Sequence, residues 1–502
     1  MSEEPAAPGL NDGNELPPAG GNAHPADSPI GPDERAFLAE HALKRPLKVL
    51  DIWALGVGVV ITGEYFGWNS ALKDHNGPMA VLVASLIVCL LYLAWVLALS
   101  ELSVAMPYAG GPLAYGRRAV GPTLGFLMGW SMYLECQFAT IGTALATGGY
   151  IAFLVNPAEP SDTVIVASAL STIVIFFVLH VRGVKEQSTA MVLMTYGAIL
   201  GLVLFWCLAA TNFRWDRIWT SPLLPTEKGW RAVLDAVPYA LWWLVIIETV
   251  ALAAEESHEP HRTIPRGLVW AQLTLIGLVV LTWLFACGAV DDAQTLAVTP
   301  DNKDVSYPLA KVISSIPIGS SPLAVYGFGL IAIFGMIASY HGMIYGTSRQ
   351  AFALGRSGYL PSFLGMVHAE RRTPVPALAA SSLITAVFVV ANLWFPGAIV
   401  LAILVSTLTA LIWYILAIGC LFVLRRREPH LFARYRAPLA IVLPLAVVLL
   451  SLFAAWTYGS SNTAVIPATA ALYGVGLAYY FLWSRARIQT AAPEELSARG
   501  KL

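Results

Sequence analysis

The sequence predicts an all-α polytopic membrane protein with twelve transmembrane helices. Of its 502 residues, 57% are hydrophobic and only 12% are charged, whereas about 25% of the residues in an average soluble domain are charged. A helix needs about 20 apolar residues to cross a bilayer, and stretches of that length recur from residue 50 onward. The 30 Lys plus Arg are balanced by 31 Asp plus Glu, so no basic excess indicates nucleic-acid binding.

The twelve spans divide the chain into regions. They are predicted at residues 50–72, 79–103, 122–151, 163–181, 189–212, 232–254, 266–290, 322–348, 374–394, 397–424, 438–457 and 464–484. A ten-helix core is expected within 35–430, with halves at about 50–212 and 232–424, and two additional helices within 431–484. Residues 1–34, rich in Pro, Gly, Asn and Ala and without a signal sequence, predict a disordered cytoplasmic tail. Residues 485–502 predict a second cytoplasmic tail.

The distribution of basic residues predicts the orientation in the membrane. With both termini inside, 23 of the 30 Lys and Arg lie in inner segments and seven in outer segments, which is the excess typical of cytoplasmic loops. The chain is therefore expected to be a multi-pass cell-membrane protein with cytoplasmic termini. The run Arg425–Arg427 predicts contact with lipid head groups at the inner surface. Apart from Arg266 at the first position of the seventh span, no Lys or Arg falls within a predicted span.

Four acidic residues lie within apolar spans: Glu64, Glu101, Glu135 and Glu248. An ionised side chain at mid-bilayer costs roughly 2.5 to 3.5 kcal/mol, so such residues usually face a cavity or a partner. Because no intramembrane base can neutralise them, protons or a cationic ligand must do so. A buried, hydrogen-bonded structural role is the alternative for each of them, and Glu101 is expected to be structural or gating.

Two spans are predicted to be interrupted helices. The first contains GVGVVITGEYFGWN (56–69), where glycines flank polar residues, and the sixth contains PYALWWLVIIETVALAAEE (238–256), with a proline at its start and an acid in its middle. Interrupted helices at matching places in two halves indicate an inverted-repeat transporter with its site at the repeat interface. Freed backbone groups are tolerated at such depth where they line a cavity.

Three long motifs resemble those of the amino acid, polyamine and organocation (APC) superfamily. They are SELSVAMPYAGGPLAYGRRAVGPTLGFLMGW (100–130), AAEESHEPHRTIPRGL (253–268) and SRQAFALGRSGYLPSFLGMVHAERRTPVPAL (348–378). The resemblance covers most of residues 44–430. It implies two inverted five-helix repeats of the leucine-transporter type, with two helices appended at the C-terminal end, and it implies transport of a small molecule.

Within that superfamily, VVITGEYFGWN and ALWWLVIIETVALAAEE look most like segments of bacterial ethanolamine permeases. That resemblance implies ethanolamine as the substrate and the bacterial inner membrane as the location. Thr62, Gly63 and Glu64 align with the glycine-rich triplet whose amides hold the substrate carboxylate in amino acid carriers. A carboxylate side chain there repels that group and suits an ammonium, so Glu64 is predicted to anchor an amine beside the opened backbone of Thr62 and Gly63.

The predicted substrate site also includes Tyr65, Glu135, Trp242, Trp243 and Glu248. Aromatic rings near the two interruptions predict cation–π contacts with an ammonium. No metal-ligand cluster and no nucleophile with its base is visible in the spans, so neither a cofactor nor an enzyme activity is expected.

Alternatives stay open at this point. An amino acid permease of the same superfamily is the nearest alternative, and an amine channel is a more distant one. For coupling, some proton-coupled relatives carry a fifth-helix lysine where this chain has Gly197 or Ala198. Proton symport, facilitated diffusion and exchange are all compatible with the sequence.

Overall fold

The structure is a computed structural model of the 502-residue chain. It describes residues 31–501 except 42, 44, 158–159, 301–303 and 395–396. The predicted tail at residues 1–30 lies outside the described residues. Over the described part of the chain the fold is all-α, with two isolated backbone bridges and no strand.

Eighteen α-helices, labelled in chain order, make up the described fold. The helices before the midpoint of the chain are α1 Pro32–Glu40, α2 Val49–Val60, α3 Thr62–Tyr65, α4 Pro78–Ala105, α5 Pro112–Ala119, α6 Pro122–Val155, α7 Asp162–Arg182, α8 Val184–Ala210 and α9 Trp230–Ala240. Those after it are α10 Thr249–Leu252, α11 Pro260–Ala289, α12 Pro308–Ser315, α13 Pro322–Arg356, α14 Val375–Ala391, α15 Ala398–Arg427, α16 Val442–Ser461, α17 Val465–Leu482 and α18 Pro493–Ala498.

These helices confirm the predicted fold class. Within the described residues, ten helical segments are long and apolar enough to cross a membrane. The two remaining predicted spans are 232–254, which is interrupted after α9, and 374–394, which holds the 17-residue apolar helix α14. The protein is therefore a multi-pass integral membrane protein.

Glycine–proline pairs start three helices of the first half. α4, α5 and α6 begin with Pro78, Pro112 and Pro122, each preceded by a glycine with positive φ. Proline at the first helical position lacks an N–H that would be unbonded there in any case, and glycine adopts positive φ without steric cost. These pairs fix where the helices turn into the bundle.

The long helix α6 lies at the centre of the bundle. It packs against α13, α15 and α7, while α2 packs against α11 and α8, and α4 packs against α11 and α9. The two interrupted segments, α2–α3 and α9–α10, are enclosed by these helices, and residues 54–72 of the first are buried. The interruptions therefore lie inside the protein rather than against lipid.

Both ends of the described chain fold onto the bundle. α1 begins at Pro32, so its first three residues fall within the segment predicted as a disordered tail. The predicted tail 485–502 contains α18, whose residues Pro493–Ser497 are buried. These segments lie at the end of the bundle that carries Arg117, Arg356 and Arg425, which we call the basic face and which is the predicted cytoplasmic side.

Candidate functional site

The first interruption is opened by a hydroxyl from α13. Ser339 Oγ accepts a hydrogen bond from the Thr62 N–H (2.8 Å) and donates one to the Gly58 carbonyl (2.8 Å). It thus stands between the N–H and the carbonyl that an unbroken α-helix joins directly, and insertion of a side chain into this ladder is a recognised cause of a helix break. The opened backbone predicted at Thr62 is present, but its amide is already bonded to Ser339. The helix stops entirely at Phe66 and Gly67, where φ is 93° at Gly67.

The second interruption covers residues 241–248. After α9, Leu241–Trp243 form a short 3₁₀ turn, and irregular turns lead to α10. Ile246 has φ of 78°, a conformation that is unusual for a β-branched residue and that tends to occur at functional sites. The acid Glu248 follows this turn directly.

The two interruptions touch at Gly63. A Cβ atom placed on Gly63 would lie 2.6 Å from the Trp242 carbonyl oxygen and 2.9 Å from Trp243 Cα. Since neither neighbour is the free end of a flexible side chain, only glycine lets the two backbones approach this closely. Gly63 therefore marks the crossing of the two interrupted helices, as an inverted-repeat site requires.

Glu64 points away from that crossing. Its side chain is fully buried, and among the described residues neither carboxylate oxygen has a hydrogen-bond partner. The Thr282 hydroxyl on α11 lies near the carboxylate but without good hydrogen-bond geometry, and Cys89 on α4 lies within its electrostatic range. Glu64 thus occupies the α4–α11 side of α3, in an environment with few polar groups.

The Tyr65 side chain points toward α8 and α13, not toward the α4–α11 side where Glu64 lies. Its hydroxyl donates to the Ala198 carbonyl on α8 (2.6 Å), and its ring fills the space beside Gly335 on α13. The Tyr150 hydroxyl on α6 donates to the Tyr65 carbonyl (2.7 Å). These bonds hold the end of α3 to the surrounding helices, so Tyr65 positions the interruption.

Glu135 and Glu248 form a second acidic site on the α15 side. Both are fully buried. Trp413 Nε1 donates to Glu135 Oε2 (2.6 Å), and the Tyr414 hydroxyl donates to Glu248 Oε1. The two carboxylates interact with each other, and the Ile246 amide faces both of them. The turn of the second interruption therefore lies next to this acidic pair.

Aromatic rings enclose the acidic pair. Trp95 stacks on Tyr414 at a centroid distance of 4.2 Å and meets Trp413 at 5.0 Å, while Tyr92 meets Tyr414 edge-on at 5.9 Å. The Tyr414 hydroxyl also lies 3.2 Å from the Tyr92 hydroxyl. The sequence analysis missed these four aromatics. The adjacent Trp and Tyr within the apolar tenth span were the available signal.

The side chains of Trp242 and Trp243 pack in different directions from the crossing. Trp242 packs edge-on against Phe66 at 5.5 Å, and its Nε1 is buried without a hydrogen-bond partner in the described structure. Trp243 stacks on Trp68 at 4.7 Å and donates from Nε1 to Ser85 Oγ on α4 (2.9 Å). Trp242 therefore stays at the interruption, whereas Trp243 packs into the α4 side.

The predicted site residues thus fall into three groups and one separate residue. Thr62, Gly63 and Trp242 meet at the crossing of the interrupted helices. Glu135 and Glu248 form the acidic pair. Tyr65 and Trp243 hold the crossing to its neighbours, and Glu64 lies by itself on the α4–α11 side.

The chain matches the family described as "Amino acid permease" over residues 47–480. An uncharacterised transporter of Rhizobium meliloti is 30% identical over 346 residues, which are 67% of this chain and 70% of the relative. A branched-chain amino acid permease of Bacillus subtilis is 24% identical, covering 90% of this chain and 95% of the relative. A methylthioribose transporter of Bacillus subtilis is also 24% identical, over 88% and 94% of the two chains. The matched region includes both interrupted helices and both acidic sites, and the chain belongs to the amino acid permease family.

Proposed function

We propose that this permease carries a small primary amine, most specifically ethanolamine, by alternating access. The observation that carries the proposal is the charge of the buried centre. Glu64, Glu135 and Glu248 are fully buried around the interrupted helices, and apart from Arg266 at the start of the seventh span no Lys or Arg lies within a predicted span. Because buried charges are normally paired, this centre favours a substrate that brings positive charge.

Glu64 supports a substrate without a carboxylate. Its two oxygens accept no hydrogen bond of good geometry from the described groups, so the residue can accept bonds from an ammonium, which has three donors. A substrate carboxylate near it would face a like charge in a poorly solvated place, which is costly. Glu64 is therefore our proposed anchor for the amine, on the α4–α11 side of the crossing at Gly63.

The acidic pair is suited to hold a proton. Two carboxylates that interact in a buried site do not both ionise easily, so one of them tends to keep a proton. Glu135 and Glu248 each have a donor on one oxygen, and within the described structure Glu135 Oε1 and Glu248 Oε2 have no hydrogen-bond partner of good geometry. If transport is proton-coupled, this pair is where we place the coupling proton. A membrane potential alone, at about 2.3 kcal/mol per charge per 100 mV, also supports roughly 50-fold accumulation of a cation.

An amino acid permease is the second candidate, favoured by the family and by the branched-chain amino acid permease among its relatives. The methylthioribose transporter is equally similar, at 24% identity. Relatives at this distance therefore carry chemically different substrates, and the family alone does not select one of them.

A competition series with purified protein in liposomes tests the choice. Labelled ethanolamine is bound in the presence of unlabelled ethanolamine, serine or choline. We expect ethanolamine to compete far better than serine, which adds a carboxylate to the same amine and hydroxyl. We expect choline to bind weakly, because its methyl groups remove every N–H donor and leave only Coulomb and cation–π attraction. Serine matching ethanolamine would favour the amino acid permease instead. Uptake with pH, sodium and voltage varied separately then identifies the driving force.

A further inference from the structure

The C-terminal helix α18 is inserted into the basic face. Its residues Glu494, Glu495, Leu496 and Ser497 are at most 1% exposed, and the helix packs against α5. Removing two carboxylates from water is unfavourable unless they are paired and hydrogen-bonded. A short surface helix with two buried acids therefore needs specific partners.

Both acids of α18 have such partners. Arg356 Nη2 donates to Glu494 Oε1 (2.6 Å), and Ser357 Oγ donates to Glu494 Oε2 (3.1 Å). Arg117 pairs with Glu495 through Nε (2.8 Å) and Nη2 (2.7 Å), and the Tyr359 hydroxyl donates to Glu495 Oε1 (2.9 Å). Each carboxylate of α18 thus receives a charged donor and a hydroxyl donor.

Arg356 links α18 to the inner end of the second interrupted segment. Besides Glu494, it binds Glu255 through Nη1 (3.1 Å) and Nη2 (3.0 Å), and the Ala109 amide donates to the same carboxylate (2.7 Å). Burial alone would raise the pKa of Glu255, but the Arg356 charge and these hydrogen bonds outweigh burial, so its pKa lies below the ordinary value of 4.5. The contact therefore adds stability above about pH 4.5 that is lost as the pH falls.

The three long sequence motifs, at 100–130, 253–268 and 348–378, meet at the contact between Arg356 and Glu255. Ala109 belongs to the first motif, Glu255 to the second and Arg356 to the third. A second ion pair, Arg349 to Glu256 (2.7 Å), is buried nearby and joins the same two segments. In an alternating-access carrier, the segment after an interruption must move relative to its neighbours to open a passage. Contacts that fix residues 255 and 256 to α13 therefore hold the basic face closed.

We propose that α18 is a latch that holds the basic face closed, with Glu494 and Glu495 locking Arg356 and Arg117 in the closed arrangement. Opening of that face then requires α18 to detach from Arg356 and Arg117. The latch acts on the motion of the carrier and is independent of which substrate it moves.

Hydrogen–deuterium exchange on the full-length protein in nanodiscs tests the latch. We expect Glu494→Gln combined with Glu495→Gln to speed exchange in residues 249–262 by about tenfold or more, because charge-assisted hydrogen bonds to both arginines are lost. Glu34→Gln is the matched control. It removes the partly exposed Glu34–Lys501 pair beside α18, and ion pairs that water still reaches contribute little, so exchange in 249–262 should not change.

A crosslink tests the same proposal without removing the pairing of Arg117. A Cβ atom on Gly110 would lie 3.1 Å from Glu494 Cγ, so cysteines at 110 and 494 are close enough to form a disulfide. In a Cys207→Ser background, which removes an exposed thiol, oxidation should abolish uptake and reduction should restore it. Undiminished uptake by the oxidised protein would overturn the latch. So would unchanged exchange in a double glutamine variant that melts at the wild-type temperature.

Discussion

The two acidic sites beside the interrupted helices differ in how their carboxylates are satisfied. On the α4–α11 side, Glu64 has no hydrogen-bond partner among the described residues. On the α15 side, Glu135 and Glu248 receive donors from Trp413 and Tyr414. All three acids are equally buried, so burial does not separate the sites, whereas the supply of donors does.

This difference in hydrogen-bond donors supports different roles for the two acidic sites. A carboxylate that receives fixed N–H and O–H donors is held in one position and has less capacity left for a ligand. A buried carboxylate without donors must be either protonated or paired with a cation that arrives from outside. We therefore assign the amine to Glu64 and a proton to the pair of Glu135 and Glu248. The predictions below separate these assignments, beginning with the contact that both sites depend on.

Gly63→Ala should have the largest effect. Its Cβ would lie 2.6 Å from the Trp242 carbonyl oxygen, and overpacking of this kind costs about 1 to 3 kcal/mol even where neighbours can shift. Because the two interrupted helices meet here, we expect uptake to fall to background. Gly142→Ala is the matched control, since its Cβ would meet Trp242 and Ala402 at an ordinary 3.8 Å. Full uptake by Gly63→Ala would show that the crossing does not need a close backbone approach.

Glu64→Gln should have the next largest effect, and we expect that effect on substrate binding. It keeps the shape of the side chain but removes its charge, and a lost charge-assisted hydrogen bond costs about 1.5 to 3 kcal/mol, or roughly 10- to 150-fold in ethanolamine affinity. Thermal stability should change much less, because no described group donates to this carboxylate with good hydrogen-bond geometry.

Glu135→Gln provides the comparison for that result. We expect it to alter the pH dependence of uptake while leaving ethanolamine affinity closer to wild type. Isothermal titration and uptake between pH 5 and 8 measure both quantities in each variant. Unchanged affinity in a folded Glu64→Gln protein, together with lost affinity in Glu135→Gln, would exchange the two assignments.

The comparison also shows what the sequence can predict. Apolar segments long enough to cross a bilayer indicate the helices directly. The interruptions at 62–67 and 241–248 are signalled by local glycine, proline and acid content. Glu64, Glu135 and Glu248 are visible because an acid in an apolar span is rare.

The partners of these acids could not be predicted, because they depend on helix rotation. Ser339 looks like one small residue in a stripe with Gly335 and Gly342, and its insertion between Gly58 and Thr62 requires the register of α13 against α2. Tyr414 lies 166 residues after Glu248, and no local pattern relates the two. The direction of Glu64, away from the crossing, likewise depends on where α4 and α11 pack.

Tyr414→Phe tests how firmly the acidic pair is held. It removes the donor to Glu248 and the contact with the Tyr92 hydroxyl, so we expect the free energy of unfolding to fall by about 1 to 3 kcal/mol. Trp413→Phe should have a similar effect through Glu135. Ethanolamine affinity should change less than in Glu64→Gln. Thermal melting in detergent and titration measure the two effects, and an affinity loss as large as that of Glu64→Gln would place the substrate at the pair.

Thr282→Val should have the smallest effect on binding, and it separates a binding role of Glu64 from a structural one. Thr282 is the hydroxyl near the Glu64 carboxylate, yet neither carboxylate oxygen is hydrogen-bonded to it with good geometry. Valine has nearly the same shape without the hydroxyl, and it also removes an acceptor for Trp206 Nε1, which lies 3.3 Å away. We expect stability to fall by only about 0.5 to 1.5 kcal/mol, with ethanolamine affinity unchanged and Thr282→Ser behaving as wild type. If Glu64 were instead a protonated structural group that depends on this hydroxyl, Thr282→Val would destabilise the protein as strongly as Tyr414→Phe does. Glu64→Gln would then be harmless to binding, because the amide also donates and accepts hydrogen bonds without a charge.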